Sequence, residues 1–334
     1  MNARQSQGSS TRETLPAKAP KIGLALGGGG ARGLAHIAML EAFDELSIRP
    51  SVIAGTSIGA VYGAAYASGI SGRDLREHTR FILSQRLGLI RDLFVSTTQP
   101  FQRLASLFGA RSAILNPAAV LDVILPKEVK NDFADCEIPL KIVASDFYDQ
   151  EPKIFSDGLL RPAIAASMAL PVIFQPVVVD GRALIDGGLT NPLPFDLLMP
   201  EADVVVAIDV SGAPVPDPRR ATPTAFEALF ASAFLFERTI VKEKLKAARP
   251  DILISAGTSR FQVLDFLKCD EILAAAEPAK ERLKQQLTRV LSVETLPVLD
   301  VVDPTTVADG AQAVPSKRPK QGLLARARRR RKED

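Results

Sequence analysis

The sequence predicts an α/β fold in which helices cover a mainly parallel sheet. Short apolar runs alternate along the chain with longer stretches that have the periodicity of amphipathic helices. Several of the apolar runs are continuous, as expected of strands that are covered on both faces. The chain has 334 residues, of which 46% are hydrophobic, enough for a sizeable core.

The predicted elements follow one another from residue 21 to residue 291. The candidate strands are Lys21–Leu26, Ser51–Ala54, Leu140–Ala144, Val177–Val179, Ala183–Ile185, Val204–Val210 and Ile252–Ser255. The candidate helices are Ala31–Leu46, Ile58–Ser68, Gly72–Ser84, Pro117–Leu125, Arg161–Met168, Thr224–Ala248 and Asp270–Leu291. No internal repeat interrupts this order.

The domain organisation follows from where the alternation stops. We expect a disordered arm over 1–20, a core over 21–215 and a helical extension over 216–295 that completes the core. The core contains a helical insertion, 73–135, whose apolar residues either cap the sheet or form a lid or groove wall. Scattered prolines and a basic end predict a flexible tail over 296–334.

Charge is distributed unevenly along the chain. The net charge is +3, yet residues 317–334 carry nine Lys or Arg and two Asp or Glu, so the rest of the chain is acidic. The folded part is therefore not expected to bind nucleic acid. The tail is either solvated or a peripheral contact with an anionic membrane, where each basic residue contributes about 1 kcal/mol.

Cysteine usage and hydropathy indicate the compartment. Cys136 and Cys269 lack CxxC spacing, and the N-terminus has no apolar signal segment. No run of about 18 uncharged apolar residues is present. We therefore expect a cytoplasmic protein, with peripheral attachment at the inner membrane face as a further option.

The first chemical motif is GxSxG, formed by Gly55, Thr56, Ser57, Ile58 and Gly59. It follows a short apolar strand and precedes a helix of small residues, which is the context of a nucleophile elbow. Such a turn presents the serine hydroxyl at a helix N-terminus, where negative charge is favoured. A purely structural turn is the competing interpretation.

A serine nucleophile needs a base, and histidine is scarce here. His36 lies inside a predicted helix, and His78 comes too early for the order Ser, acid, His of α/β-hydrolases. A carboxylate in DGG, residues Asp186, Gly187 and Gly188, is the leading candidate. The turn Asp180-Gly181 predicts a hairpin that delivers it to a strand end. DGG could also be only a turn.

The glycine-rich loop has two interpretations. Gly28, Gly30 and Gly33 match half of a dinucleotide-binding motif, but no acidic residue closes the second strand and no Walker lysine follows. An oxyanion hole, with N–H groups around Gly28, Gly29 and Gly30, fits better. Neither the histidines nor the cysteines have metal-ligand spacing, so no metal or cofactor is expected.

Together the three motifs resemble the patatin-like phospholipase family over about residues 21–210. GGGxRG matches Gly28–Gly33, GxSxG matches Gly55–Gly59, and DGG matches Asp186–Gly188. Gly27 stands where plant patatins carry an acidic residue, so the chain is closer to the bacterial and neuropathy-target-esterase-like branch. The resemblance implies a three-layer α/β/α fold.

The resemblance also implies a function. Ser57 would be the nucleophile and Asp186 the proton acceptor in the hydrolysis of phospholipid or lysophospholipid esters. Arg32 would shape the oxyanion loop, although a surface ion pair would explain it as well. Three alternatives stay open: a catalytically weak lipid-binding or regulatory protein, an acyltransferase, and a nucleotide binder. Oligomeric state is not predicted.

Overall fold

A computed structural model describes residues 19–85, 115–213, 222–223 and 225–294. In these residues eight strands form one sheet. The strands are β1 (Ile22–Leu26), β2 (Val52–Thr56), β3 (Leu140–Asp146), β4 (Pro152–Phe155), β5 (Val177–Val179), β6 (Arg182–Asp186), β7 (Val204–Asp209) and β8 (Ile252–Ser255).

The helices alternate with these strands in the order that the sequence predicts. They are α1 (Ala35–Glu45), α2 (Ile58–Ala67), α3 (Gly72–Gln85), α4 (Pro117–Ile124), α5 (Leu160–Ser167), α6 (Ala225–Ala247) and α7 (Cys269–Glu294). A 3-10 helix, Gly30–Leu34, comes directly before α1, because the glycine-rich start of the predicted helix forms a tighter turn than the rest.

The sheet is mixed, with a parallel centre and an antiparallel edge. Its order is β5-β6-β3-β2-β1-β7-β8, and β4 pairs separately with β3. The five strands from β3 to β8 along this order are parallel to one another, whereas β4 and β6 run antiparallel to β3. The prediction of a mainly parallel sheet is therefore confirmed.

Alternate residues of the central strands enter two separate hydrophobic clusters. On β1, Leu24 and Leu26 pack with α1, α2 and α7, while Ala25 packs with residues of the other face, including Phe195 and Val241. Because successive side chains of a strand point to opposite faces, helices must cover both sides of the sheet. The fold thus has three layers, and the carboxyl ends of the parallel strands meet along one edge.

Two features of the fold differ from the prediction or extend it. Strand β4 was not predicted, because Pro152 and the alternating exposure of its residues are typical of a short edge strand. In the insertion, Phe81 is largely exposed, so it does not cap the sheet as core. By contrast, Leu75, Leu121 and Phe133 of the insertion are buried in the core. The predicted core or lid residues between Leu87 and Phe108 lie outside the described residues.

Several further predictions fall outside the described part of the chain. These are the arm up to residue 18 and the basic tail 296–334. Within the described residues, no helix combines the length and the hydropathy needed to cross a bilayer. Cys136 and Cys269 are both free thiols.

Candidate active site

Ser57 occupies a strained turn between β2 and α2. Its backbone has φ 55° and ψ −122°, a conformation that non-glycine residues rarely adopt. Such strain persists only where the surrounding structure enforces it, and it is concentrated at functional sites. The turn leaves Ser57 partly exposed at the N-terminus of α2.

The two glycines of GxSxG allow this turn to pack closely. A Cβ on Gly59 would lie 2.2 Å from the carbonyl oxygen of Leu26, and a Cβ on Gly55 would lie 2.6 Å from the carbonyl oxygen of Gly59. Both distances are too short for any side chain. The glycines of the GxSxG motif are therefore required by the close contact of α2 with the ends of β1 and β2.

Strand register brings the DGG motif to Ser57. Thr56 is paired with Val143 on β3, and the next β3 residue, Ala144, is paired with Asp186 on β6. Ser57 and Asp186 therefore approach the same position of β3 from opposite sides. The predicted hairpin that carries Asp186 is present, with β5 and β6 joined at a two-residue turn.

Ser57 and Asp186 are joined by a hydrogen bond. The Oγ of Ser57 donates to Oδ2 of Asp186 at 2.7 Å, and the N–H of Gly188 donates to Oδ1 at 2.8 Å. Asp186 is only 3% exposed. Burial raises the pKa of Asp186 to about 6, while the two hydrogen bonds from Gly188 and Ser57 oppose the rise. The carboxylate is thus held as an acceptor whose proton affinity is above normal.

Two other serines hold the hydrogen-bonded pair of Ser57 and Asp186, and neither was predicted from the sequence. Ser167 on α5 accepts a hydrogen bond from the N–H of Ser57 at 2.8 Å and donates to the carbonyl of Val143 at 2.6 Å. Ser145 on β3 donates to the carbonyl of Asp186 at 2.8 Å. Each hydroxyl fixes the backbone of one member of the pair.

The glycine-rich loop lies at the ends of β1 and β7. Its Gly28 faces Ser57, since a Cβ on Gly28 would lie 3.5 Å from the Ser57 Cβ. The N–H of Gly28 is already used, because it donates to the carbonyl of Pro192 at 2.9 Å. The N–H groups of Gly29 and Gly30 donate to no protein group in the described residues. Of the three predicted donors, Gly28 is thus the one whose N–H already has a protein acceptor among the described residues.

Arg32 supports the loop from inside the protein. Its side chain is buried, which excludes a surface ion pair, and its Nε donates to the carbonyl of Gly29 at 3.2 Å. The Gly29 carbonyl and the Gly30 N–H belong to one planar trans peptide and point in opposite directions. Because the guanidinium of Arg32 holds the Gly29 carbonyl, the Gly30 N–H points away from this guanidinium. The guanidinium also lies over the ring of Phe234, 5.3 Å from its centre.

Gly33 completes the loop motif through packing. A Cβ there would lie 2.1 Å from Cγ2 of Ile58, the first residue of α2. The 3-10 helix and the turn at Ser57 are therefore in direct contact. Likewise, a Cβ on Gly187 would lie 2.1 Å from the carbonyl oxygen of Val143, so the DGG turn packs on β3.

Neither histidine is hydrogen bonded to Ser57. His36 is fully buried, and its Nε2 donates to the carbonyl of Gly27 at 2.9 Å. Burial lowers the pKa of His36 to about 4, so the ring is neutral. His78 contacts the carbonyl of Ile124. Among the described residues, no three His, Cys, Asp or Glu side chains are grouped as metal ligands.

Comparison with known proteins identifies the family. Residues 24–199, more than half of the chain, match the patatin-like phospholipase family. The chain belongs to the patatin-like phospholipase family. The match covers all three motifs, and it confirms the resemblance that the motifs carry.

Individual patatin-like relatives are similar over the same region. An uncharacterized NTE family protein of Mycobacterium tuberculosis is 35% identical over 205 residues, which is 61% of this chain and 53% of that protein. Patatin-like phospholipase domain-containing protein 7 of Rattus norvegicus is 32% identical over 192 residues, 57% of this chain and 13% of that protein. The chain thus spans about half the length of the mycobacterial relative.

Among solved structures, VipD from Legionella pneumophila is similar with a TM-score of 0.41 and 15% sequence identity. The similarity covers 80% of this chain and 67% of VipD.

Proposed function

We propose that this chain is a serine hydrolase that cleaves acyl esters of phospholipids or lysophospholipids. The observation that carries the proposal is the 2.7 Å hydrogen bond from the Ser57 hydroxyl to the buried carboxylate of Asp186. A weak nucleophile held against a base of raised proton affinity is the arrangement required for covalent catalysis. Membership of the patatin-like phospholipase family supports a lipid ester as substrate.

In the first half of the reaction, the Ser57 Oγ attacks the ester carbonyl carbon while Asp186 accepts the hydroxyl proton. The carbonyl π bond opens, and its oxygen becomes the oxyanion of a tetrahedral intermediate. As the intermediate collapses, Asp186 returns the proton to the departing alcohol oxygen. The acyl group remains on Ser57 as an ester.

The glycine-rich loop would stabilise the oxyanion. The N–H groups of Gly29 and Gly30 have no protein acceptor among the described residues, and Gly28 places this loop directly beside Ser57. One such donor contributes about 2.7–4 kcal/mol of transition-state stabilisation. The N-terminus of α2 adds a favourable dipole.

In the second half, water attacks the acyl-serine carbonyl and gives its proton to Asp186. The intermediate collapses with cleavage of the bond to Oγ, which takes the proton back. The fatty acid leaves, and the hydrogen bond between Ser57 and Asp186 is restored. The two steps therefore return the enzyme to its initial state.

Covalent labelling with a fluorophosphonate tests the dyad. Wild-type protein should be labelled, and Ser57→Ala and Asp186→Asn should each reduce labelling by at least a thousandfold. Asp180→Asn is the matched control, because it makes the same change at the exposed tip of the hairpin that carries Asp186, where asparagine tolerates the positive φ. Folded wild-type protein that is not labelled would overturn the proposal.

A substrate panel tests the lipid assignment. Phospholipids, lysophospholipids and short-chain esters should be compared with the same variants. Hydrolysis of a lipid ester that disappears in Ser57→Ala would support the assignment. Turnover of short-chain esters alone would contradict it while leaving the dyad intact.

A further inference from the structure

A second buried carboxyl, Glu237, lies beside the dyad and has no part in the mechanism above. It is on α6 and is 5% exposed. Fully buried acidic side chains are rare unless they are paired or functional. Glu237 therefore needs a physical explanation at this position.

The position of Gly188 shows how close Glu237 comes to the base. A Cβ on Gly188 would lie 2.6 Å from Oε1 of Glu237 and 3.1 Å from Oδ1 of Asp186. The two carboxyl groups thus flank the same small space. This contact also explains the second glycine of DGG, since any side chain there would displace the Glu237 carboxyl.

Helix α6 connects the base to the oxyanion loop. Phe234 and Glu237 are three residues apart and therefore lie on one face of the helix. Phe234 stacks on the guanidinium of Arg32, and the negative charge of Glu237, when present, interacts with the same guanidinium. Arg32 in turn holds the Gly29 carbonyl. One face of α6 thus contacts both halves of the site.

The charged groups around Glu237 and its neighbour Arg32 come from four elements. In the described residues, Asp186 at the end of β6 and Arg32 in the 3-10 helix face Glu237. Asp209 at the end of β7 and Arg238 on α6 act on Arg32 rather than on Glu237 directly. Ionised Glu237 would therefore place a second carboxylate next to Asp186 and weaken the field of Arg32.

We infer that Glu237 is a positioning residue of the reaction, which supports the dyad and the oxyanion loop as a neutral carboxyl and lowers the activity when it ionises. Its charge opposes the oxyanion, since both are negative and share one cation in a buried site. The inference rests on the proposed function.

The environment of the carboxyl supports this role. Burial, reinforced by the negative charge of Asp186, raises the pKa of Glu237 to about 8, and Arg32 opposes the rise. Asp186 has a pKa of about 6. Between these two values the base is ionised and Glu237 is neutral, which is the state that the mechanism needs. Activity should therefore be highest between these two values and fall as Glu237 ionises above about pH 8.

The rate of fluorophosphonate labelling at pH 9, divided by the rate at pH 7 for the same protein, tests the inference. We expect this ratio to be about 0.1 for wild type, because roughly nine-tenths of Glu237 is neutral at pH 7 and one-tenth at pH 9. In Glu237→Gln the ratio should rise toward 1. Glu243→Gln, on the exposed side of the same helix, should keep the wild-type ratio.

The pH dependence of thermal stability tests the protonation of Glu237 without a measurement of activity. A carboxyl with a raised folded-state pKa stabilises the protein below its unfolded value of about 4.5, and this contribution is lost as pH rises to about 8. The thermal midpoint of Glu237→Gln should therefore rise relative to wild type between pH 5 and pH 9. A midpoint difference that stays constant with pH would show that the folded-state pKa of Glu237 is not raised, and it would contradict the inference.

The outcomes separate the two proposals. If wild type is labelled and Glu237→Gln has the same ratio of rates, the inference fails and the proposed function stands. If folded wild type is not labelled at any pH, both fail. A raised ratio together with a pH-dependent midpoint difference supports the inference.

Discussion

The backbone N–H of Ser57 donates to the hydroxyl of Ser167, which in turn donates to the carbonyl of Val143. A single fully buried side chain therefore joins the strained nucleophile turn to the neighbouring strand β3. Because β3 also pairs with the strand that carries Asp186, this hydroxyl links the backbone of Ser57 to the strand next to Asp186.

Ser167→Ala should slow the reaction and destabilise the fold. The substitution leaves a buried N–H and a buried carbonyl without their partner, at a cost of about 1–3 kcal/mol. We expect the labelling rate of Ser57 to fall at least tenfold. Ser68→Ala is the control, since Ser68 is also buried and bridges a backbone N–H to a backbone carbonyl. Equal losses of labelling in both variants would contradict a specific role.

Arg32→Lys should impair catalysis while the protein remains folded. Lysine keeps the charge but loses the Nε donor to Gly29 and the planar stacking on Phe234. Misplacement of the loop should lower kcat for ester hydrolysis about tenfold to a hundredfold. Arg249→Lys removes an Nε bond of the same length to a carbonyl on the surface, and it should leave kcat unchanged. An unaltered kcat in Arg32→Lys would refute the role of Arg32.

Gly59→Ala and Gly63→Ala should differ sharply although both lie in α2. At position 59 the new methyl group would meet the backbone oxygen of Leu26 at 2.2 Å, which side-chain movement cannot relieve. We expect a loss of about 3 kcal/mol or more in unfolding free energy. At position 63 the nearest atom is a methyl group of Ile53 at 3.3 Å. Helix propensity compensates there, so the change should stay within about 1 kcal/mol. Urea unfolding measures both.

The acid side of the pH profile should report Asp186. Burial raises the pKa of Asp186 to about 6, and only the ionised form accepts the Ser57 proton. The value of kcat/KM should therefore fall about tenfold per pH unit below pH 6. Protonation of His36 does not interfere, because burial lowers the pKa of His36 to about 4. If the acid limb has its midpoint near pH 4 instead, the pKa of Asp186 is not raised and the prediction is wrong.

Much of the fold was predictable because local patterns and tertiary structure agree. The continuous apolar runs became the buried parallel strands, and the Asp180-Gly181 turn became a hairpin whose two turn residues have positive φ. The pairing of Ser57 with Asp186 was predictable for a different reason. The two histidines are poorly placed, and the hairpin at Asp180-Gly181 delivers the carboxylate of the DGG motif to a strand end, which made Asp186 the leading acceptor.

The supporting residues were less predictable because their partners are distant in sequence. Ser167 lies 110 residues from Ser57, and only its presence as a polar residue in the run Ala163–Ala169 could have signalled it. Glu237 carried a clearer signal, since it falls with Phe234 and Val241 on the buried face of α6. A charge on the apolar stripe of a helix is a local conflict, and such conflicts are typical of functional sites.

The pairing of β2, β3 and β6 brings Ser57 and Asp186 to the same position along the sheet. A slip of one residue in either pairing would turn the side chains of the shifted strand to the opposite face of the sheet. The distance between the two side chains is therefore sensitive to the register of strands that lie far apart in sequence.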